Sequence, residues 1–136
     1  MRLTATGTAL VASLLAASAA GLSAAQSGGS LYAASQASAG SRIYAASCAS
    51  CHGDRLEGGV GPAVSGANLR KLAKNTKLTV GDLFQFMALQ MPLNQPASLK
   101  HEQYAQIMAY ILKFNGYPAG ARSLTYDAAM KSTALM

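Results

Sequence analysis

The sequence is short of the residues and patterns that several classes of protein need. It has two cysteines in 136 residues, whereas a small secreted fold held by disulfides normally has about four or more. No stretch alternates apolar and polar residues for long, so half-buried β-strands are not predicted. No internal repeat is present either. These absences leave one domain of the all-α class as the expected fold.

Acidic residues are also scarce. The chain has five against eleven basic residues, with a net charge of +6 at pH 7. Arg70, Lys71, Lys74 and Lys77 form a basic cluster with no acidic residue near it in the sequence. Such a cluster is either a docking face for an acidic partner or an ordinary solvated segment, and the sequence leaves both interpretations open.

The N-terminal segment has the pattern of a targeting signal. Arg2 precedes an alanine- and leucine-rich run from Leu3 to Leu22, and Ser23-Ala24-Ala25 fits the cleavage pattern of a secretory signal peptide. A retained membrane anchor is the alternative, since about 20 apolar residues can span a bilayer. Because several threonines and serines interrupt the run, we interpret residues 1–25 as a cleaved signal. We expect a periplasmic protein, membrane-anchored only if the signal is retained, and no nucleic-acid partner.

The rest of the chain divides by composition. Residues 26–39 are small and uncharged, which is typical of a flexible lead-in. We place the folded domain at residues 40–120 and a C-terminal tail at residues 121–136. A short helix is predicted from Gly40 to Ser50, with Ser41 as its N-cap.

Two further helices follow a glycine-rich loop at residues 53–68. Thr79-Val80-Gly81-Asp82 has the Thr-x-x-acid spacing of a helix start, and this helix is predicted to run to Met91. The last helix is the clearest, because an apolar stripe repeats at helical spacing and Asn115-Gly116 stops it. The stripe consists of Tyr104, Ile107, Met108, Ile111 and Leu112.

The chemistry of the chain is concentrated in Cys48-Ala49-Ser50-Cys51-His52. C-x-x-C-H is typical of covalent haem attachment, in which each cysteine forms a thioether to one haem vinyl group. Two intervening residues let one helical turn present both sulfurs to one edge of the porphyrin. The histidine then supplies one axial ligand of the iron. We therefore predict one covalent haem c, held by Cys48, Cys51 and His52.

Three other interpretations of the cysteine pair are weaker. A thioredoxin-like site would need a βαβ neighbourhood, which the sequence does not show. A zinc site would need more ligands than this motif and the distant His101 readily offer. A disulfide across two residues would be strained.

The second axial ligand is predicted to be Met91. It ends a helix directly before Pro92, and the fixed proline backbone forces a loop that can hold a sulfur over the ring. Met87 and Met108 lie among apolar residues that favour a core role, and Met130 and Met136 lie in the tail. His101, at the start of the last helix, is the rival. The Pro62 carbonyl is the expected acceptor for the second ring nitrogen of His52, although an ordinary turn proline is the alternative.

Seven apolar side chains are expected to line the haem pocket. They are Val60, Pro62, Leu69, Leu83, Phe86, Leu89 and Leu93.

Several of these features together resemble the class I, or mitochondrial-type, cytochrome c domain. The resemblance runs from about Gly40 to about Asn115 and consists of Gly40-x-x-x-Tyr44, the Cys48–His52 motif, Gly61-Pro62, Met91-Pro92 and Tyr104 with Ala109-Tyr110-Ile111-Leu112. It implies a helical fold around one haem c with His52 and Met91 as axial ligands. It also implies that the first and last helices cross where Gly40, Tyr44 and Tyr110 meet.

The segment from Met91 to Gly120 is similar to bacterial cytochromes c that accept electrons from periplasmic dehydrogenases, including quinoprotein alcohol and sugar dehydrogenases. One departure is Lys100, which stands where related chains usually place Ser or Thr to cap the last helix, and a lysine side chain cannot accept a hydrogen bond from a helix N–H.

The expected function is transfer of single electrons between redox protein partners, such as a periplasmic dehydrogenase or a terminal oxidase. Two strong protein ligands leave no open iron position for a substrate, so the chain is not expected to be an enzyme. Two alternatives stay open. One is an electron-transfer subunit fixed in a dehydrogenase or oxidase complex, and the other is a haem enzyme or gas sensor with an open sixth position.

Overall fold

A computed structural model describes residues 29–136 as six helices joined by loops. The helices are α1 (Ala34–Ser47), α2 (Ala49–His52), α3 (Gly66–Thr76), α4 (Val80–Gln90), α5 (His101–Phe114) and α6 (Tyr126–Met130). Within this part of the chain the extended pairings are isolated bridges, Ala33 with Gly120 and Thr79 with Leu135. The all-α class is therefore confirmed. No helix among the described residues is long and apolar enough to cross a membrane, and the predicted signal at residues 1–25 lies outside them.

The first helix begins before the predicted domain boundary. Helix α1 starts at Ala34 rather than Gly40, and Ser41 does not cap it but donates from its hydroxyl to the Ser38 carbonyl. Tyr32 is 1% exposed, and its hydroxyl donates to the Tyr117 carbonyl at 2.7 Å. The interpretation of residues 26–39 as a flexible lead-in is thus wrong for residues 29–39. Tertiary packing of Tyr32 and the helix propensity of the alanines order this stretch.

Helices α1 and α5 cross at close range, and this crossing is the centre of the fold. A β-carbon on Gly40 would overlap the backbone carbonyl of Gln106 in α5, so only glycine allows the two backbones to approach this far. Next to the crossing, the Tyr44 and Tyr110 rings lie 5.4 Å apart between centroids at 56°. The helix crossing that the resemblance implies is confirmed.

Helices α4 and α5 start with local hydrogen bonds. The Thr79 hydroxyl accepts from the Asp82 N–H at 3.0 Å, and the Asp82 carboxylate accepts from the Thr79 N–H at 2.9 Å. This capping box confirms the predicted start of α4, and its hydrogen bonds lower the pKa of Asp82. At the start of α5, the Gln103 side-chain oxygen accepts from the Lys100 N–H at 2.9 Å. Gln103 thus satisfies the N–H of Lys100, while the Lys100 side chain has no acceptor and does not cap the helix.

Helix α3 was not predicted from the sequence. It buries only Leu69 and Ala73, and it displays the basic cluster to solvent on the opposite side. Its C-cap, Lys77, adopts the left-handed conformation with φ of 54°. A helix that contributes so little to the core leaves only a weak apolar signal in the sequence.

The segment predicted as a C-terminal tail packs on the same core as the rest of the domain. Leu124 is 5% exposed and Ala129 is fully buried. Gln36 of α1 bonds to both backbone groups of Leu124, with its amide donating to the Leu124 carbonyl at 2.6 Å and its oxygen accepting from the Leu124 N–H at 2.8 Å. Residue 120 is therefore not a boundary of the packed domain.

Replacing Gly40 by alanine should destabilise the protein, because the added methyl group forces α1 and α5 apart. We expect the free energy of unfolding to fall by about 1–3 kcal/mol, measured by urea denaturation of the purified protein. Ser38→Ala is the control, since Ser38 is exposed on the same helix and its loss should change stability by less than about 0.5 kcal/mol. If Gly40→Ala were as stable as the wild type, the close approach of α1 and α5 at Gly40 would be contradicted.

Candidate functional site

The motif residues occupy a single helical turn directly after α1. The backbone N–H groups of Cys51 and His52 both donate to the Cys48 carbonyl, at 3.2 and 2.9 Å. The turn ends at Gly53, whose φ of 81° suits glycine and whose carbonyl accepts from the Tyr44 hydroxyl at 2.9 Å. Burial raises the pKa of that hydroxyl, so Tyr44 remains a donor. The turn is thereby tied to the α1–α5 crossing.

The two cysteines are free thiols in different surroundings. Cys48 is half-buried and Cys51 is exposed. Burial, with a smaller contribution from Cys51, raises the pKa of the Cys48 thiol to about 11. Within residues 29–136, no group of three or more His, Cys, Asp and Glu side chains is placed to hold a metal ion alone. The lack of further ligands in this range disfavours the zinc interpretation.

The loop after the motif fixes the ring of His52. Its Nδ1 lies 2.8 Å from the Pro62 carbonyl oxygen, which is the predicted contact. Gly61 makes this contact possible, because a β-carbon at position 61 would lie 2.9 Å from His52 Cε1. The Gly61 N–H also donates to the Cys51 carbonyl at 2.8 Å. A carbonyl oxygen only accepts, so Nδ1 carries the proton, and in the neutral ring Nε2 has the lone pair.

Met91 lies at the C-terminal end of α4 and is half-buried. Its N–H donates to the Met87 carbonyl at 3.0 Å, and its carbonyl accepts from the Tyr104 hydroxyl of α5 at 2.6 Å. The backbone of Met91 is therefore held by two helices.

The other candidate ligands are engaged elsewhere. Met87 and Met108 are 8% and 0% exposed in the core, as the sequence predicts. The His101 ring stacks on Tyr126 with 3.8 Å between centroids.

Large apolar side chains are exposed at positions adjacent to the candidate ligands. Val60, which precedes the Gly61 contact to His52, is 94% exposed, and Leu93, two residues after Met91, is 79% exposed. Phe86 and Leu89 are also exposed on the helix that leads to Met91. Exposed apolar groups of this size are better accounted for by a large flat apolar ligand that covers them than by solvent. Together with two thiols and an imidazole with a free Nε2, they fit a haem.

Leu69 and Leu83 differ from the other residues expected to line the pocket. Leu69 is 5% exposed and lies beside a cavity of about 280 Å³ that is also lined by Asn115, Tyr117 and Met136. Leu83 is half-buried and packs against the core. Leu69 thus lies on the buried side of α3 and faces a cavity that Met136 also lines.

Sequence reasoning missed two residues that support the site. Tyr104 was recognised as part of the apolar stripe, yet its hydroxyl acts on the Met91 backbone. Asn115 was read as a helix stop, yet its amide donates to the Val64 carbonyl and its oxygen accepts from the Gly66 N–H, at 3.1 and 3.3 Å. For Tyr104, the available sequence signal was a tyrosine within an otherwise aliphatic stripe. For Asn115, no sequence signal indicated its bonds.

Comparison with known proteins gives a family and a fold. A family described as cytochrome C oxidase, cbb3-type, subunit III matches residues 35–111, which is more than half of the chain. The crystal structure of the sulfane dehydrogenase SoxCD from Paracoccus pantotrophus is similar with a TM-score of 0.53 and 24% identity over 70% of this chain. The alignment covers 51% of that longer chain, so the likeness concerns the fold alone.

No curated protein matches the chain in sequence. The family match extends from α1 through the cysteine motif and Met91 to the apolar stripe of α5. The chain therefore belongs to the family described as cytochrome C oxidase, cbb3-type, subunit III, and it is a class I cytochrome c domain, a family that supports a role in electron transfer.

Proposed function

We propose that this protein carries single electrons with one haem c, attached through Cys48 and Cys51 and ligated by His52 Nε2 and the Met91 sulfur. The observation that carries the proposal is the 2.8 Å contact between His52 Nδ1 and the Pro62 carbonyl. It fixes the tautomer in which Nε2 is free to bind iron, as the outer partners of metal-ligating histidines do.

The haem supplies the one-electron chemistry, and the residues of this chain set the conditions for it. His52 and Met91 would hold the iron, and a methionine sulfur ligand favours the ferrous state. Val60, Phe86 and Leu93 are exposed apolar side chains, and if they cover the ring they would exclude water from it and raise the reduction potential further. A closed iron has no position for a substrate, which supports a carrier rather than a haem enzyme or gas sensor.

The location we propose is the periplasm. Haem attachment to c-type cytochromes takes place outside the cytoplasm, and residues 1–25 have the pattern of an export signal. Periplasmic dehydrogenases and terminal oxidases are the classes of redox partner that this location supports.

The basic face of α3 is the surface proposed to meet such a partner. Arg70, Lys71, Lys74 and Lys77 are all exposed, and no acidic residue lies between Gly58 and Gly81 in the sequence. Leu72, at 51% exposure, adds an apolar side chain on the same helix. A one-sign surface of this kind accelerates encounter with a partner of opposite charge. We therefore propose an acidic redox protein as the partner.

A permanent place in a larger complex is the second candidate. The family description refers to an oxidase subunit, and the similar chain in SoxCD is about twice as long as the aligned region. Gel filtration of the haem-bearing fraction from the native host discriminates between the two. A free carrier elutes at the size of this chain, whereas a subunit elutes with its complex.

Replacement of Met91 by alanine should remove the sulfur ligand. We expect the weak far-red absorption band of methionine-ligated ferric haem to disappear and the reduction potential to fall, because ferrous haem loses its preferred ligand. Visible spectra and a redox titration of the purified protein measure both changes.

Met87→Ala is the matched control for Met91→Ala, since Met87 precedes it by one helical turn and is buried. It should lower stability by about 2–5 kcal/mol while keeping the far-red band. Loss of the band in Met87→Ala, and its retention in Met91→Ala, would reverse the ligand assignment.

Reversal of two charges on α3 should slow reaction with an acidic donor. For Lys71→Glu combined with Lys74→Glu, we expect reduction by flavodoxin, a small acidic electron donor, to slow by about tenfold at low salt and much less at high salt. Stopped-flow kinetics over a series of salt concentrations measures this.

The control for the α3 variant reverses two exposed basic residues elsewhere, Arg42 and Lys100, with the same change in net charge. It should slow the reaction by a much smaller factor. Equal slowing by both double variants would show that net charge matters and that the α3 face does not.

A further inference from the structure

The last residues of the chain lie across the start of α4, in a segment that we term the C-terminal strap, residues 131–136. The Ser132 carbonyl accepts from the Gly81 N–H at 3.0 Å, and the Ala134 carbonyl accepts from the Val80 N–H at 2.8 Å. The Met136 N–H donates back to the Leu78 carbonyl at 3.0 Å. The strap thus pairs with the backbone on both sides of Thr79.

The strap completes the N-terminal cap of α4. An α-helix begins with four backbone N–H groups that have no partner inside the helix. In α4, the capping box satisfies those of Thr79 and Asp82. The strap carbonyls satisfy the other two, those of Val80 and Gly81. All four N–H groups are therefore bonded, two of them by residues about 50 positions further along the chain.

Gly81 is shaped for this contact. A β-carbon at position 81 would lie 2.6 Å from the Ser132 carbonyl oxygen and 3.3 Å from that of Met130. Because these atoms are backbone, they cannot move aside without displacing the strap. Glycine at position 81 therefore allows the backbone of the strap to contact the start of α4.

Helix α6, which directly precedes the strap, packs against the side of α4. Tyr126 packs edge-on against Phe84 of α4 with 5.2 Å between ring centroids, and Phe84 is fully buried. Tyr126 also stacks on His101 at the start of α5. The Gln85 amide donates to the Met130 carbonyl at 2.9 Å. Helix α4 is thus held between α5 and the C-terminal residues along its first half.

Met91 lies at the other end of this helix. It follows Gln90, the last residue of α4, and its N–H continues the hydrogen-bond ladder of the helix. A short helix moves as a unit, so a shift at Val80 and Gly81 displaces Met91 as well.

We propose that the C-terminal strap is a positioning element for the sixth haem ligand, which it holds through the N-terminus of α4. The inference rests on Met91 being that ligand, as proposed above. Release of the strap frees α4 and opens the sixth position of the iron to other molecules without any change in the ligand itself.

The test measures binding of imidazole to the ferric, haem-bearing protein in three variants. Deletion of residues 131–136 removes the strap, and Gly81→Ala pushes it away while the chain stays complete. In both we expect tighter imidazole binding, by about tenfold for the deletion, the change that corresponds to loss of one or two hydrogen bonds. On heating, the far-red band of both variants should be lost at a lower temperature than that of the wild type.

Gln36→Ala is the matched control. It removes the two bonds from α1 to Leu124, which lie before α6 and do not involve α4. It should lower the thermal midpoint of unfolding yet leave imidazole affinity within about twofold of wild type. If it tightened imidazole binding as much as the deletion does, general loosening would explain the effect and the proposal would be overturned.

Unchanged imidazole affinity in both the deletion and Gly81→Ala would also overturn the proposal that the strap positions Met91. Should the deleted chain fail to fold, Gly81→Ala alone decides. If Met91 were not the sixth ligand, the wild-type protein itself would lack the far-red band. Failure of the ligand assignment is therefore distinguished from failure of the strap proposal.

Discussion

The close approach of α1 and α5 at Gly40 is the constraint on which the rest of the structure depends. Helix α1 leads directly into the Cys48–His52 turn, and α5 carries Tyr104, whose hydroxyl holds the Met91 backbone. The two crossing helices therefore connect the attachment motif to the proposed sixth ligand. A wider crossing would alter the separation of the two proposed ligands, which is why a single β-carbon at position 40 matters.

Each proposed ligand is then fixed by neighbouring residues that are not themselves proposed as ligands. His52 depends on the backbone of Gly61 and Pro62. Met91 depends on α4, on Tyr104 and on the C-terminal strap. Most of these supports are backbone groups. Backbone groups reorganise little when an electron arrives or leaves, which suits a carrier whose site has to stay the same in both oxidation states.

The predictable parts of this fold are those with a local signal. The capping box of Thr79 and Asp82 and the stripe from Tyr104 to Leu112 depend on residues close in sequence, and both were recognised. Parts ordered by distant contacts were missed. Residues 29–39 have the composition of a linker, and only the packing of Tyr32 and the bonds of Gln36 to Leu124 order them.

The candidate site follows the same division. The cysteine motif and the contact from His52 to Pro62 could be predicted because they lie within fifteen residues of one another. Helix α3 and the strap could not, since one buries two side chains and the other bonds through carbonyls that no sequence pattern marks. Tyr104 falls between these cases, because its place in the core was clear and the target of its hydroxyl was not.

The central claim is that the turn from Cys48 to His52 attaches one haem. Mass spectrometry of the proteolytic peptide that contains Cys48–His52, from protein expressed with residues 1–25 included, measures this attachment. We expect a peptide heavier than its sequence by the mass of one haem, with both thiols resistant to alkylation. A peptide of unmodified mass with two alkylated cysteines would contradict it.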